Sequence, residues 1–448
     1  MQVKFLGAAG TVTGSCYLLT SQSGQSILID CGLFQGTQDL EKLNHLPFDC
    51  DCSAISAVVL THAHLDHCGR LPMLLSHGFK GEMWMTPPTR DITQLSLFDS
   101  AKIGKEDNRP LYDKRQVEKT VALFRVVDYE KSFSLGNFEI VMRDAGHILG
   151  SASLEIVDQS ATNNIKKIVF SGDLGNSPED LIRPTELINS SDVVVLESTY
   201  GDRSHPADNP SDIIAAEINA IEASGGTLLI PAFSIERSQE LLHKISLLKK
   251  SGKVKGETPV FFDSPMAEKV TAVFKKYRQY YNLELEQEFK DSDPFVFPGL
   301  LTVANRNDSL EIIQTTGPKV IVAGSGMMTG GRIMGHALRF LPESSTRLLI
   351  VGYQGEGTLG RIILDGQRNI SIQGNSIIIR ANINQTQAMS SHADQPRLLS
   401  WLKNILGVKK IFLTHGEDGP RTALAEKIKT DLGTSDISLP IFNQQVGF

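Results

Sequence analysis

Short apolar runs closed by a small or polar residue recur along this chain. Val58-Val59-Leu60 stops at Thr61, Ile168-Val169-Phe170 at Ser171, Val193-Val194-Val195-Leu196 at Glu197, and Ile411-Phe412-Leu413 at Thr414. Runs of this length, rich in β-branched residues, predict buried strands. Val3–Phe5 and Ser15–Thr20 alternate, and Ser26–Asp30, Met83–Thr86 and Phe138–Val141 read as further strands. Helical spacing runs from Leu71 to His77 and again over residues 89–125, where Leu95, Leu97, Ile103, Val117 and Val121 supply the apolar positions. From about residue 201 the texture changes. A helix with Ile213, Ile214, Ile218 and Ile221 on one face leads into strands near 227–231, 260–263, 320–323 and 348–351, separated by helical stretches. Strand and helix in alternation predict a parallel sheet covered on both faces. The first texture then returns with a strand at Ile377-Ile378-Ile379, a helix through Leu398, Leu399 and Leu402, a strand ending at His415, and a helix from about Pro420 to Leu432. This predicts an α/β fold in three segments. Residues 1–200 and 366–448 form one domain, and 201–365 form a second α/β domain inserted into it.

The strand ends are chemically loaded. Thr61 is followed by His62-Ala63-His64-Leu65-Asp66-His67, three imidazoles and a carboxylate within six residues. His62 and His64, two apart, point the same way in an extended segment. Such groups at the end of a buried strand need something to repay their desolvation, and a divalent metal does so. Single histidines or acids close other strands in small-residue loops: His147, Asp173, Glu197 and His415. Taken singly, each of these is as readily a solvated loop residue. Asp30 also ends a strand, either as a turn-former or as an acceptor that orients a metal histidine.

The 448 residues amount to about two to three domains. A net charge of −7 gives no electrostatic sign of nucleic-acid binding, although bound cations would change the local field. All five cysteines fall before residue 69 without zinc-finger spacing, and no secretory leader is visible. Reduced thiols and a cytoplasmic location are expected. Cys50-x-Cys52 reads as a surface turn, and Cys68 is expected to pack behind the histidines. No apolar run is long enough for a membrane span.

The stretch HAHLDH resembles the metal motif of the metallo-β-lactamase fold, and Glu197, His392 and His415 resemble the downstream motifs of its β-CASP branch, the RNA-processing nucleases related to the cleavage and polyadenylation endonuclease. The resemblance runs from Phe5 through His415 and points to the compact bacterial and archaeal members, without the RNA-binding modules of larger relatives. It implies an αββα metallo-β-lactamase sandwich carrying an inserted β-CASP domain. It further implies two Zn2+: His62, His64 and His147 on the first, Asp66, His67 and His415 on the second, and Asp173 bridging. Ions about 3.5–4 Å apart clamp the attacking and leaving oxygens of a phosphoryl displacement. Asp30 matches the branch's first motif as an orienting acceptor.

On this resemblance Asp66, Glu197 and His392 are the catalytic residues, with His392 as the general acid held by a carboxylate. Ser325, Gly326 and Arg332, in the glycine loop Gly324–Arg332, and Arg237 match β-CASP patterns and are candidates to grip substrate phosphates. Arg237 could equally tie the two domains together through a carboxylate. The expected function is zinc-dependent endonucleolytic hydrolysis of single-stranded RNA, at a cleft between the domains. The alternatives are a 5′-to-3′ exoribonuclease on the same site, a small-molecule ester or thioester hydrolase, and a non-catalytic scaffold. A homodimer is left open.

Overall fold

Phe138–Asp144 alternates strictly between buried and half-buried positions, and it pairs antiparallel with Ala152–Asp158 along its whole length. In Val193–Glu197, by contrast, all five residues are buried. That strand lies parallel between Lys167–Phe170 and Lys410–Thr414. Continuous apolar runs of this kind are what strands covered on both faces require. The computed structural model describes residues 1–162, 165–176, 181–386, 388–434 and 436–448. They divide into two units, Met1–Ser204 with Ser391–Phe448, and His205–Ser390.

The first unit holds two seven-stranded sheets. One runs Gln445–Gly447, Gln2–Phe5, Tyr17–Thr20, Ser26–Ile29, Ile55–Val59, Glu82–Met85, Phe124–Val126. The other runs Ile437–Ser438, Lys410–Thr414, Val193–Glu197, Lys167–Phe170, Ala152–Asp158, Phe138–Asp144, Phe133–Leu135. Their inner faces meet in one core, with Phe5, Leu19, Ile29 and Val59 against Ile140, Leu154, Phe170, Val195 and Phe412. The alternate residues face outward onto helices. Leu28, Val58 and Leu60 pack with Leu71, Leu74 and Leu97, and Val194, Leu196 and Leu413 pack with Leu398, Trp401 and Leu424. The layers are helix, sheet, sheet, helix, as the resemblance implies.

The helical stretch expected over 89–125 is two helices, Pro87–Glu106 and Lys114–Val121, followed by the edge strand Phe124–Val126. Asn108 at φ 54° breaks the run, and a capping box between Asp113 and Gln116 restarts it. Cys52 is buried, unlike the surface turn expected of it, while Cys68 packs as expected behind the histidine loop.

The second unit has a six-stranded parallel sheet in the order Leu300–Thr302, Val260–Asp263, Lys319–Ala323, Thr227–Pro231, Arg347–Ile350, Asn382–Gln385. The sequence reading places the return to the first domain at 366, but the chain stays in the second unit through Ser390. Ile370, Ile372, Ile379 and Ala381 belong to that unit's core. Asn382–Gln385 is its edge strand, paired with Arg347–Ile350. Among the described residues, no helix is long and apolar enough to cross a membrane.

Candidate metal centre

The site is assembled from the carboxyl ends of strands in both sheets of the first unit. After Ile55–Val59 the chain enters the short helix Leu65–Cys68. This places His62 and His64 on the extended approach, with Asp66 and His67 in the first turn. The loop after Phe138–Asp144 brings His147, the one after Lys167–Phe170 brings Asp173, and the one after Lys410–Thr414 brings His415. His62, His64, His147 and Asp173 converge in one group, and Asp66, His67 and His415 in a second; within each group the ligand atoms lie within 4.8 Å of one another.

The nitrogens face one another. His62 Nε2 and His147 Nε2 each lie 3.2 Å from His64 Nδ1. His147 Nδ1 donates to the Ser391 carbonyl at 3.0 Å, so Nε2 carries the lone pair aimed at His64. Asp173 Oδ2 is 3.3 Å from His67 Nε2, 3.5 Å from His62 Nε2 and 3.7 Å from His147 Nε2. Asp66 Oδ2 lies 3.3 Å from His415 Nε2. Lone pairs and carboxylate oxygens converging this closely fit a divalent cation, and imidazole with carboxylate is a suitable donor set.

The protonation pattern agrees at His62, His64, His147 and Asp66, while at His67 burial is outweighed by the charges of Asp173 and Asp30, which hold the imidazole well above the usual histidine range. Burial, reinforced by neighbouring imidazoles, holds His62 and His147 well below the usual histidine range. Burial takes His64 down to about 4, so these three rings present free nitrogens. Burial opposes the charge on Asp66, yet the bond from His415 and the charge of His67 bring its pKa to about 2.

The rings of His62, His67, His147 and His415 each have a partner that sets their orientation. Asp30 Oδ2 accepts from His67 Nδ1 at 2.8 Å, and the same carboxylate takes Thr61 N at 2.8 Å and Thr61 Oγ1 at 2.9 Å. Thr61 Oγ1 also lies 3.1 Å from His62 Nδ1, and Thr199 Oγ1 lies 3.1 Å from His415 Nδ1. Asp30 at φ 58° and His415 at φ 47° occupy the left-handed region, where strain persists only if the surroundings enforce it. Two glycines let the loops touch. A Cβ on Gly32 would lie 1.5 Å from the Asp66 carbonyl, and one on Gly175 would lie 1.6 Å from the Gly146 carbonyl.

His392 completes the group. It does not open a helix: Asp394 caps Gln395–Lys403, and His392 bridges to Gly175 in extended conformation. Its Nδ1 is 3.3 Å from Glu197 Oε1, and its Nε2 is 3.9 Å from Asp173 Oδ2. Glu197 is buried, and its Oε1 also accepts from Leu174 N at 2.7 Å. Burial pulls the His392 imidazole down, but the charge and bond of Glu197, with Asp173 and Asp66, outweigh it and raise its pKa to about 9. A cation at the cluster would offset the two aspartates, leaving Glu197 as the partner that keeps His392 protonated.

The candidates in the second unit hold internal partners. Arg237 is buried and pairs with Glu240 in its own helix. Arg332 pairs with Asp263 and donates to the Val303 and Ala304 carbonyls at 2.9 and 3.0 Å. Ser325 Oγ accepts from Thr329 N and Gly330 N at 3.0 and 3.2 Å, and Gly326 packs against the Phe233 ring. Sequence reasoning missed Thr61, Thr199 and the Ser391 carbonyl. Their only signals were position, beside His62, two residues after Glu197 and beside His392.

Three family models match the chain. The metallo-beta-lactamase superfamily covers residues 9–215, the Beta-Casp domain 238–363, and the Zn-dependent metallo-hydrolase RNA specificity domain 376–440. The chain is 35% identical over 448 residues to "Ribonuclease TTHA0252" of Thermus thermophilus, covering 100% of both chains. It is 30% identical to "Transcription termination factor FttA" of Methanosarcina mazei, over 96% of this chain and 69% of the relative. It is 27% identical to "Endoribonuclease YSH1" of Kluyveromyces lactis, over 96% of this chain and 57% of the relative.

Proposed function

The chain belongs to the β-CASP branch of the metallo-β-lactamase superfamily, and on that footing we propose that it is a ribonuclease that cuts single-stranded RNA internally, with two zinc ions at the cluster. It is a metal-dependent hydrolase. The names of its relatives, two of them ribonucleases, favour RNA as substrate. Two adjoining groups of ligand atoms, His62, His64, His147 and Asp173 beside Asp66, His67 and His415, favour a pair of ions, with Asp173 Oδ2 3.3 Å from His67 Nε2 between them. A divalent pair there supplies Lewis-acid polarisation and an acidified water.

The protein's own contribution is orientation and proton delivery. His62, His64 and His147, held neutral, and Asp66, held ionised, keep their donor atoms turned to the centre. Asp30 and Thr61 fix the rings of His67 and His62. Glu197 accepts a hydrogen bond from His392 Nδ1–H, so Nε2–H faces the cluster and its proton passes to the oxygen that leaves phosphorus. That arrangement, a charged imidazole backed by a buried carboxylate beside a metal cluster, is the observation that carries the reading. A hydrolase acting on an activated small ester has less need of a held acid.

The test is cleavage of internally labelled single-stranded RNA with blocked ends by the parent and by His392→Ala, with metal counted in both. Internal cuts by the parent, reduced about 10²- to 10⁴-fold in a variant with the same metal content, support the reading. Release of 5′ mononucleotides from open-ended RNA alone would make it an exonuclease. Intact RNA with metal-loaded parent overturns it.

A further inference from the structure

A small cavity, of about 10 Å³, lies between the two sheets of the first unit, next to the metal centre. Its wall includes the polar groups of Tyr17, Thr61, Ser171, Asp173 and Thr414. A cavity this size accommodates about one water, provided that two or more polar partners reach it.

Asp173 lines this cavity and also belongs to the metal centre. Oδ2 faces the imidazole nitrogens. Oδ1 is fully buried and has no hydrogen-bond partner among the described residues. His415 Nδ1 lies 3.5 Å from it, and that nitrogen is 3.1 Å from Thr199 Oγ1. A buried carboxylate oxygen without a hydrogen-bond partner is destabilising. Tyr17, also in the wall, is buried, and its hydroxyl lies close to the hydroxyls of Thr414 and Ser15. Burial, with the nearby charges of Asp30 and Asp173, pushes the phenol pKa far up, so its proton is retained at every working pH.

We infer that the cavity binds one water, held by the Tyr17–Thr414 hydroxyl pair and donating to Asp173 Oδ1, which makes Tyr17 a positioning residue for the carboxylate shared by the metals. The inference rests on the metal-hydrolase reading and extends it to residues that touch neither metal nor substrate. The chain Tyr17–Thr414–water–Asp173 satisfies the orphaned oxygen and turns Oδ2 toward the histidines. It also draws charge from the carboxylate, which sets how strongly Asp173 donates to a metal.

The experiment uses the full chain as Tyr17→Phe and as Thr414→Val. Phenylalanine keeps the ring that packs against Phe5 and Phe170, at centroid distances of 6.0 and 5.8 Å, and removes only the hydroxyl. Zinc affinity is read by competition with a chromophoric chelator, and the ligand field by the visible spectrum of the Co2+-loaded protein. Expected are a loss of zinc affinity of about 10-fold or more in Tyr17→Phe and a shifted Co2+ spectrum, with the metal-free melting temperature close to the parent's. Thr414→Val is expected to move the same readouts the same way, and it decides the matter if Tyr17→Phe fails to fold. Parent-like zinc affinity and Co2+ spectrum in the folded variants overturn the inference while leaving the metal centre intact. A parent that binds no metal overturns the metal reading, and this inference with it.

Discussion

Glu197 and His392 lie 195 residues apart in the chain, and the carboxylate of one meets the imidazole of the other at 3.3 Å. Replacing Glu197 with glutamine keeps an oxygen for Leu174 N but removes the charge that holds His392 up. A general acid works only while protonated, so the parent's rate should fall as pH rises through about 9. In Glu197→Gln the imidazole loses its proton earlier, and the alkaline limb moves down by about one pH unit or more. A pH–rate profile in 0.5-unit steps reads this. An unmoved alkaline limb would separate the acid from His392.

Asp30→Asn keeps the acceptor for Thr61 N but puts an amide where His67 Nδ1 needs an acceptor. The ring then loses its enforced tautomer. Zinc affinity should drop about 10- to 100-fold, measured by calorimetric titration, with RNA cleavage at saturating zinc recovering in part.

Stripping the metal with a chelator should lower the melting temperature as well as stop cleavage, because a ligand bound only to the native state adds RT ln(1 + [L]/Kd), about 4 kcal/mol at a thousandfold excess over Kd. A scanning calorimetry trace that the chelator leaves unchanged would mean that the cluster folds without help from a cation.

Asp144 lies three residues before His147. Burial raises its carboxyl to about 7, against the bond from Gly146 N and the charge of Arg183. A carboxyl raised in the fold contributes stability that is complete below its unfolded pKa and lost as pH rises through the folded value. Asp144→Asn mimics the protonated form. It should match the parent at pH 4 and exceed it at pH 8 by on the order of 2 kcal/mol in denaturant melts. Equal melting at both values would place the proton elsewhere.

The candidate ligands around His62 were legible because histidines and acids at the end of an apolar strand violate the ordinary burial rule, while His147, Asp173 and His415 were picked out by the family resemblance. The buried strands were legible as runs apolar on both faces, and the αββα layering was expected from the family resemblance. Two things were hidden. Asn382–Gln385 is a strand made mostly of amides, placed by hydrogen bonding to Arg347–Ile350 rather than by apolar pattern, so the domain return was placed about 25 residues early. Thr61, Thr199 and Ser391 act through distant partners, and a hydroxyl or carbonyl gives no sign in a sequence of which ring it will face. Arg237 and Arg332 matched family patterns as candidates to grip phosphates, and each is paired with a carboxylate of its own unit, a partner the sequence does not reveal.

Gly32 and Gly175 bring the metal-bearing loops within backbone contact of their neighbours. The pitch of the ligand cage is therefore cast in main chain, like a mould with no adjustable screws. Variation that retunes such an enzyme has to enter at the rings' partners or in the inserted unit. At these two positions even a methyl group would force the cage apart, and a library that randomises them should return glycine alone.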